Sequence, residues 1–281
     1  MLYHENRRYE SGFPINAEIF HDKNFLAHWH SEIEVVLVRE GSLGMGINSE
    51  YYILEKGDIA ICTSGDIHYY NSKNMKSEIV LIVFRPELLG NVINLLINTR
   101  FVYPVINTST IEQLNLDRAV IDNIKTCINN IFREINQKNS HYQVFTKSSI
   151  IELIGLFLRH IPYHSANSNG NIVCGEESRL MKAISYIENN YTQDISLEDI
   201  AKFLEINPFY FSRVFNKGTG LNFKTYLNTI RIEKAYNLLK TSNDSIIDIA
   251  YECGFNSIRT FNRVFKNIKG TSPSIFRAVR M

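Results

Sequence analysis

Two groups of side chains in this sequence have the types and spacing to do chemistry together. The first is His28, His30 and Glu34, followed by His68. Side chains of a strand point alternately to its two faces, so an extended segment here puts His28, His30 and Glu34 on one face, with Val36 and Val38 continuing it inward. Three imidazoles and a carboxylate converging in this way can hold Zn, Mn or non-haem Fe with open positions, or can line a pocket and satisfy one another by hydrogen bonds. The pocket reading is adopted: His28, His30, Glu34 and His68, with Trp29 and Tyr70, are the candidate ligand-binding residues. No metal, cofactor or catalytic residue is assigned. Trp29, Tyr70, Phe13 and Tyr69 offer rings for stacking on a ligand such as a sugar.

The second group lies near the carboxyl end. Ile249, Ala250 and Cys253 give a short helix one apolar face, Gly254 supplies a residue that accepts a positive φ, and Phe255 fills the turn. Asn256 or Ser257 then caps a second helix whose Phe261, Val264 and Phe265 recur at i, i+3, i+4 and face inward. Ile258, Arg259, Asn262 and Arg263 are left facing outward. Two outward arginines four residues apart suit a helix lying in a DNA major groove, because a guanidinium offers guanine a bidentate fork.

The same unit is written twice. Ser196, Asp199, Ile200 and Ala201 align with Ser245, Asp248, Ile249 and Ala250 at an offset of 49 residues, and Phe211, Arg213 and Phe215 align with Phe261, Arg263 and Phe265 at an offset of 50. Each unit opens on Ser-x-x-Asp, a helix-start signal. In the first unit Asn207 and Pro208 start the second helix, which turns Phe209, Tyr210, Ser212 and Arg213 outward. Between the units, Phe223 to Lys240 reads as a long amphipathic helix with Tyr226, Leu227, Ile230, Ala235, Leu238 and Leu239 inward. A stiff connector sets the separation of two groove-entering helices, which must be about 34 Å for adjacent turns of one duplex face. Lys217, Lys224, Arg231, Lys266 and Lys269 are candidate neutralisers of phosphate.

The pattern of Ala250, Gly254, Phe255, Phe261, Arg263, Phe265, Lys266, Gly270, Pro273 and Arg277 resembles the signature of the AraC/XylS family of transcription regulators. That resemblance implies double-stranded DNA as partner, base-reading roles at Phe209, Ser212 and Arg213 and at Ile258, Arg259, Asn262 and Arg263, a homodimer, and activation through RNA polymerase more often than repression. The first group, with Gly41, Gly57, Thr63, Gly65 and Asn71, resembles the two motifs of the cupin superfamily. Its metal-binding members use three His and one Glu, which would fall on His28, His30, Glu34 and His68. Thr63 stands where proline is common and Asn71 comes one position early, and regulators of the AraC/XylS kind bind a small organic effector in this barrel. A metal-dependent cupin enzyme, or a metal sensor fused to a DNA-binding part, remains the alternative; a DNA-packaging protein without sequence preference is a third.

The elements that must position these residues divide the chain in two. Short β-rich runs at Ala17–His21, Ile33–Arg39, Gly44–Ile47, Tyr51–Leu54, Asp58–Cys62, Ile67–Asn71 and Ile79–Phe84, with turns at Glu40-Gly41, Lys56-Gly57-Asp58 and Ser64-Gly65-Asp66, predict a sandwich or barrel of the jelly-roll kind. Helical periodicity follows over Glu87–Leu96, Ile111–Gln137 and Tyr142–His160, richer in apolar residues than one buried stripe needs. Those helices either cover the open side of the barrel or pair two chains. Pro162–Glu177 lacks periodicity and reads as a boundary. The expectation is therefore an α+β chain of two domains: residues 1–165 a cupin-like β jelly roll with dimerisation helices, 166–177 a linker, and 178–281 an all-α double helix-turn-helix.

Charge agrees with that division. Residues 1–177 carry 15 Lys and Arg against 20 Asp and Glu, a net of −5, whereas residues 178–281 carry 15 against 9, a net of +6. Only the second part has the sign of a phosphate-binding surface. Cys62, Cys127, Cys174 and Cys253 form no metal-type pair and are too few for a disulfide framework. With no span-length apolar run and a polar amino terminus, the sequence predicts a cytoplasmic protein that is neither an enzyme nor a membrane protein.

Overall fold

The computed structural model describes residues 9, 12–95, 99–165 and 175–278. The chain divides at Gly175 into two compact units, each with its own core. The first is β-rich and cupin-like; the second is helical.

In the first unit the strands are β1 (Ile15–His21), β2 (Phe25–His28), β3 (Ile33–Ile47), β4 (Glu50–Glu55), β5 (Ile59–Cys62), β6 (His68–Asn71), β7 (Ser77–Phe84), β8 (Thr99–Phe101), β9 (Val105–Ile106) and β10 (Tyr163–Ser165). The long β3 belongs to both layers. Its first half pairs antiparallel with β7 and β5, and its second half with β4 and β6. One layer thus runs β1-β7-β3-β5-β9, and the other joins β2, β6, β3 and β4.

The predicted turn at Glu40-Gly41 is instead the bend at which β3 passes between layers, marked by a register shift between Val38 and Glu40. Gly41 has φ +75° and lies against the Lys76 carbonyl, so the bend needs a residue without Cβ. The turn into β4 is made by Asn48 and Ser49, both at positive φ. β2 has no counterpart in the sequence reading; four residues are too few for alternation to register.

Alternation along β3 splits the core. Val36 and Val38 face the interior between the layers with Leu43, Met45, Leu54, Cys62, Leu81 and Val83. Val35 and Leu37 face the other way, onto the helices. Those helices are α1 (Thr108–Leu114), α2 (Arg118–Gln137) and α3 (Tyr142–His160). The periodic run Ile111–Gln137 is broken because Asn115 adopts a left-handed conformation that ends α1, and the Asp117 side chain accepts from the Ala119 N–H to start α2. Ile124, Ile128 and Ile131 of α2 and Leu153, Ile154 and Phe157 of α3 are fully buried against the sheet, so both helices cover it. The run predicted as helix from Glu87 is a 3-10 segment, Pro86–Leu95, kinked at Gly90; Leu96 and Ile97 lie outside the described residues.

The second unit consists of α4 (Gly175–Asn190), α5 (Leu197–Phe203), α6 (Pro208–Thr219), α7 (Phe223–Thr241), α8 (Ile246–Glu252), α9 (Ile258–Lys269) and α10 (Pro273–Ala278). Residues 175–177, read as linker, form the first turn of α4, and most of the expected linker, with Cys174, lies outside the described residues. Tyr163–Ser165, read as boundary, pairs with β8.

Candidate functional site

Each repeat is a helix pair held by the same local devices. Ser196 Oγ accepts from the Asp199 N–H at 3.1 Å while Asp199 accepts from the Ser196 N–H at 2.8 Å, a complete capping box. Ser245 Oγ accepts from the Asp248 N–H at 3.0 Å in the second repeat. Asn207 caps α6 through the N–H groups of Phe209 and Tyr210, with Pro208 behind it. Ser257 occupies the matching position before α9 without a side-chain bond, so neither predicted cap is used in that way. The turn between α8 and α9 is made by Gly254 at φ +84°, and its counterpart in the first repeat is Glu205 at φ +54°.

Phe211, Val214 and Phe215 of α6 and Phe261, Val264 and Phe265 of α9 are buried as the period predicts. Phe209 (88% exposed), Arg213 and Lys217 on α6, and Arg259, Asn262, Arg263 and Lys266 on α9, project into solvent. Among the described residues Arg213, Arg259 and Arg263 have no ion-pair partner, and the Arg213 guanidinium lies over the Tyr210 ring, 5.6 Å from its centroid. The arginines of the outward faces therefore carry charge that no carboxylate among the described residues pairs, which a tightly folded domain gains nothing by keeping. Three assigned positions are less available. Tyr210 is half-buried and its hydroxyl donates to Glu176 Oε1 at 2.6 Å, Ser212 is half-buried, and Ile258 packs beside the second repeat's core.

Two of the proposed phosphate neutralisers are structural instead. Arg231 is buried and donates from Nε to the Tyr191 carbonyl and from Nη2 to the Gln193 carbonyl, both at 2.7 Å. It closes the loop after α4 onto α7. Lys269 forms a 2.7 Å ion pair with Glu233 and sits 4.2 Å from the centre of the Tyr236 ring. Lys224 is exposed as expected.

α4 also carries a group that sequence reading passed over. Burial pushes the Glu188 carboxyl up to about 7, against the opposing charge of Lys234. Because the folded-state pKa is raised, the folded chain binds more protons than the unfolded one between roughly pH 4.3 and 7, and stability falls as pH rises through that window. Glu188→Gln should therefore stabilise the helical unit by roughly 1–3 kcal/mol at pH 8 and by little at pH 4, as read by chemical unfolding followed by circular dichroism.

In the first unit, His28, His30, Glu34, His68 and Tyr70 come together in the interior, all nearly inaccessible. They do not share one strand: antiparallel pairing of β2 with β6 sets His28 opposite His68, His30 lies in the connection, and Glu34 enters from the start of β3. The ring centroids of His28 and His68 are 4.2 Å apart, and those of His30 and His68 4.9 Å. Each imidazole is held through Nδ1 by a backbone carbonyl: Leu26 for His28 (2.8 Å), Glu32 for His30 (3.2 Å) and Asp66 for His68 (2.9 Å). The Tyr70 hydroxyl donates a short hydrogen bond to Glu34 Oε1. Burial alone would raise the Glu34 carboxyl, yet His68 and His30 hold it well below the usual range. Burial likewise works to lower His68, but Glu34 raises it; His28 is driven well down by burial and by the other two rings. Trp29, between His28 and His30 in sequence, is half-buried. Phe13 instead packs edge-on against Tyr142 in the helix-facing core, and Tyr69 lies against Gly46 and Tyr51, so neither ring joins the cluster.

Residues 16–154 match the family described as AraC-like ligand binding domain, and residues 200–278 match the family described as helix-turn-helix domain. The chain belongs to the AraC family of transcription regulators. Among its curated relatives is an uncharacterized HTH-type transcriptional regulator of Staphylococcus aureus, 25% identical over 85% of this chain. The chain spans 31% of the length of that relative. The HTH-type transcriptional activator RhaR of Mannheimia succiniciproducens is 21% identical over 98% of this chain and 90% of its own length. Among solved structures, the C-terminal domain of AraT, a response regulator from Geobacillus stearothermophilus, is 36% identical; this chain covers 86% of it, using 37% of its own length, with a TM-score of 0.36. In AraC-family terms the histidine cluster thus lies in the ligand-binding module and the exposed arginines in the helix-turn-helix module.

Proposed function

We propose that this chain is a ligand-responsive, sequence-specific DNA-binding regulator in which α6 and α9 enter successive major-groove turns of one duplex. The observation that carries this reading is the pair of outward faces, each with an exposed arginine at the same place in its repeat and no ion-pair partner among the described residues. Arg213, Arg259, Asn262 and Arg263 read base edges, Phe209 contacts thymine methyl groups or groove shape, and Lys217 and Lys266 neutralise phosphates. Tyr210, Ser212 and Ile258 flank the contact rather than carry it. A ligand in the first unit changes the affinity for DNA, a coupling free energy between two distinct sites.

The regulator acts in the cytoplasm, as an activator that contacts RNA polymerase, and it is not an enzyme. Among the described residues no helix is long and apolar enough to cross a membrane. Selection of duplexes from a random library by the full chain should return a recurrent two-part site with its halves one helical turn apart. Equal affinity for all duplexes at fixed salt would instead mark a packaging protein.

The same reading includes a homodimer through α3. That helix leaves Val144, Phe145 and Ile151 exposed at 65%, 58% and 43% while its other face covers the sheet. Val144, Ser148, Ile151 and Gly155 form an i, i+4, i+7, i+11 stripe of apolar and small residues, the kind of seam along which two helices pair. Ile151→Glu should shift the chain from dimer to monomer in sedimentation equilibrium with little change in melting temperature; an unchanged mass would place the seam elsewhere.

A further inference from the structure

A lysine at the edge of a core ordinarily lays its stem on apolar surface and leaves its ammonium in water. Lys23, in the loop from β1 to β2, instead carries Nζ over three aromatic rings: 3.9 Å from the centroid of Phe20, 5.0 Å from that of Tyr70 and 5.8 Å from that of Phe25. All three distances fall within the roughly 6 Å over which a ring quadrupole attracts a cation. The rings come from three strands. Phe20 lies near the end of β1, and antiparallel pairing of β2 with β6 sets Phe25 opposite Tyr70. All three pack with the core between the two layers, so they wall a cage at the rim of the barrel interior.

The loop backbone is pinned on both sides of Lys23. Ser72 Oγ donates to the Lys23 carbonyl at 2.7 Å, Asn24 Oδ1 accepts from the Ser72 N–H at 2.9 Å, and Asp22 Oδ1 accepts from the Ser77 N–H at 2.9 Å. The half-buried lysine side chain, on its flexible stem, is therefore the part that can leave. The cage also adjoins the histidine cluster. The Phe25 ring stands edge-on to His28, with centroids 4.6 Å apart, and the Tyr70 hydroxyl donates to Glu34. Donation to a carboxylate polarises the phenol and enriches its ring face, which strengthens its hold on a cation.

Ring faces attract charge but supply no lone pairs of the kind that N–H groups seek. A primary ammonium brings three N–H donors into such a site, whereas a quaternary ammonium brings none and costs less to desolvate. Converging rings are the arrangement that recognises methylated ammonium groups, and Nζ of Lys23 marks where such a cation rests. We infer that Phe20, Phe25 and Tyr70 form a cage for the quaternary ammonium group of the small-molecule ligand to which the first unit responds, and that Lys23 fills this cage until the ligand displaces it. The inference rests on the reading of the chain as a ligand-responsive regulator and gives the chemical class of the ligand.

The test titrates the full chain, by isothermal calorimetry, with choline and with the uncharged alcohol in which carbon replaces its nitrogen. Choline should bind at least about 5-fold more tightly than this isostere, because only the cation engages the ring faces. Lys23→Met removes the resident competitor and should tighten choline binding by at least about 5-fold, since every cage is then open to the ligand. Phe20→Leu keeps an apolar side chain but has no π-face; added to Lys23→Met, it should weaken choline by about 5–30-fold and leave the isostere unaffected. Circular dichroism and thermal melting confirm that each variant folds, and Phe25→Leu serves in place of a Phe20→Leu chain that does not. Saturating choline should change affinity for the selected DNA site by at least about 5-fold. Absent choline binding to Lys23→Met, equal affinity for choline and isostere, undiminished binding in the folded leucine variant, or DNA affinity indifferent to bound choline overturns the inference. A chain that binds choline in the cage yet binds no DNA in either state overturns the regulator reading and leaves the cage supported.

Discussion

Gly254→Ala should cost the helical unit roughly 2–5 kcal/mol, the largest loss expected from adding a single methyl group. Two effects add. An L residue held at positive φ loses about 1–2 kcal/mol. A Cβ at this position would also lie 2.7 Å from the Tyr191 carbonyl oxygen and 2.8 Å from the Thr192 Cα, which are backbone atoms that cannot swing aside. Crowding of that kind costs typically 1–3 kcal/mol. Relief by shifting the loop at Tyr191 is blocked, because Arg231 bonds the same carbonyl at 2.7 Å. The first repeat supplies the control. Glu205 adopts φ +54° at the equivalent turn, so Glu205→Gly should be neutral or stabilising by up to about 1 kcal/mol, as relief of strain outweighs the added freedom of the unfolded chain. Denaturant unfolding followed by helical circular dichroism reads both. A Gly254→Ala variant within about 0.5 kcal/mol of the parent would mean that the loop yields and that the close approach has no energetic weight.

That contrast shows what the sequence disclosed and what it hid. The helix-turn-helix repeats were legible because their cores sit on a 3.6-residue period, their starts carry Ser-x-x-Asp, and Gly254 announces a left-handed turn. The roles of Arg231 and Lys269 were not legible, since their partners are the carbonyls of Tyr191 and Gln193 and the carboxylate of Glu233, at least 36 residues away. Nothing in a list of basic residues separates a charge aimed at solvent from one already satisfied. In the barrel, strand alternation put His28, His30 and Glu34 on one face for a partly wrong reason, and His68 joined them only through the cupin resemblance. His28 and Glu34 come together by pairing between strands and by the passage of β3 between layers, not along one strand. Glu40-Gly41 looks like a hairpin turn because a bend within a strand and a turn between strands call for the same residue types. The Nδ1 anchors are backbone groups, which leave no residue-type signal; only their shared two-residue spacing, from Leu26 to His28, His30 to Glu32 and Asp66 to His68, would have shown in the sequence.

Arg263→Ala separates base reading from mere attraction to DNA. The side chain is exposed and has no ion-pair partner among the described residues, so its removal should change folding stability by no more than about 0.5 kcal/mol. On the selected site it should cost about 1–3 kcal/mol, a loss of roughly 5- to 150-fold in affinity, and preference at one or two base pairs should relax. On random duplex the loss should be much smaller. Lys266→Ala, one turn further along the same exposed face of α9, supplies the opposite pattern: affinity falls alike on all sequences, and the slope of log K against log salt drops by about 1. Fluorescence anisotropy on the selected and random duplexes at several salt concentrations distinguishes the two. Equal losses on both duplexes for Arg263→Ala would make Arg263 a phosphate contact, and α9 would then be a helix that grips the groove without reading it.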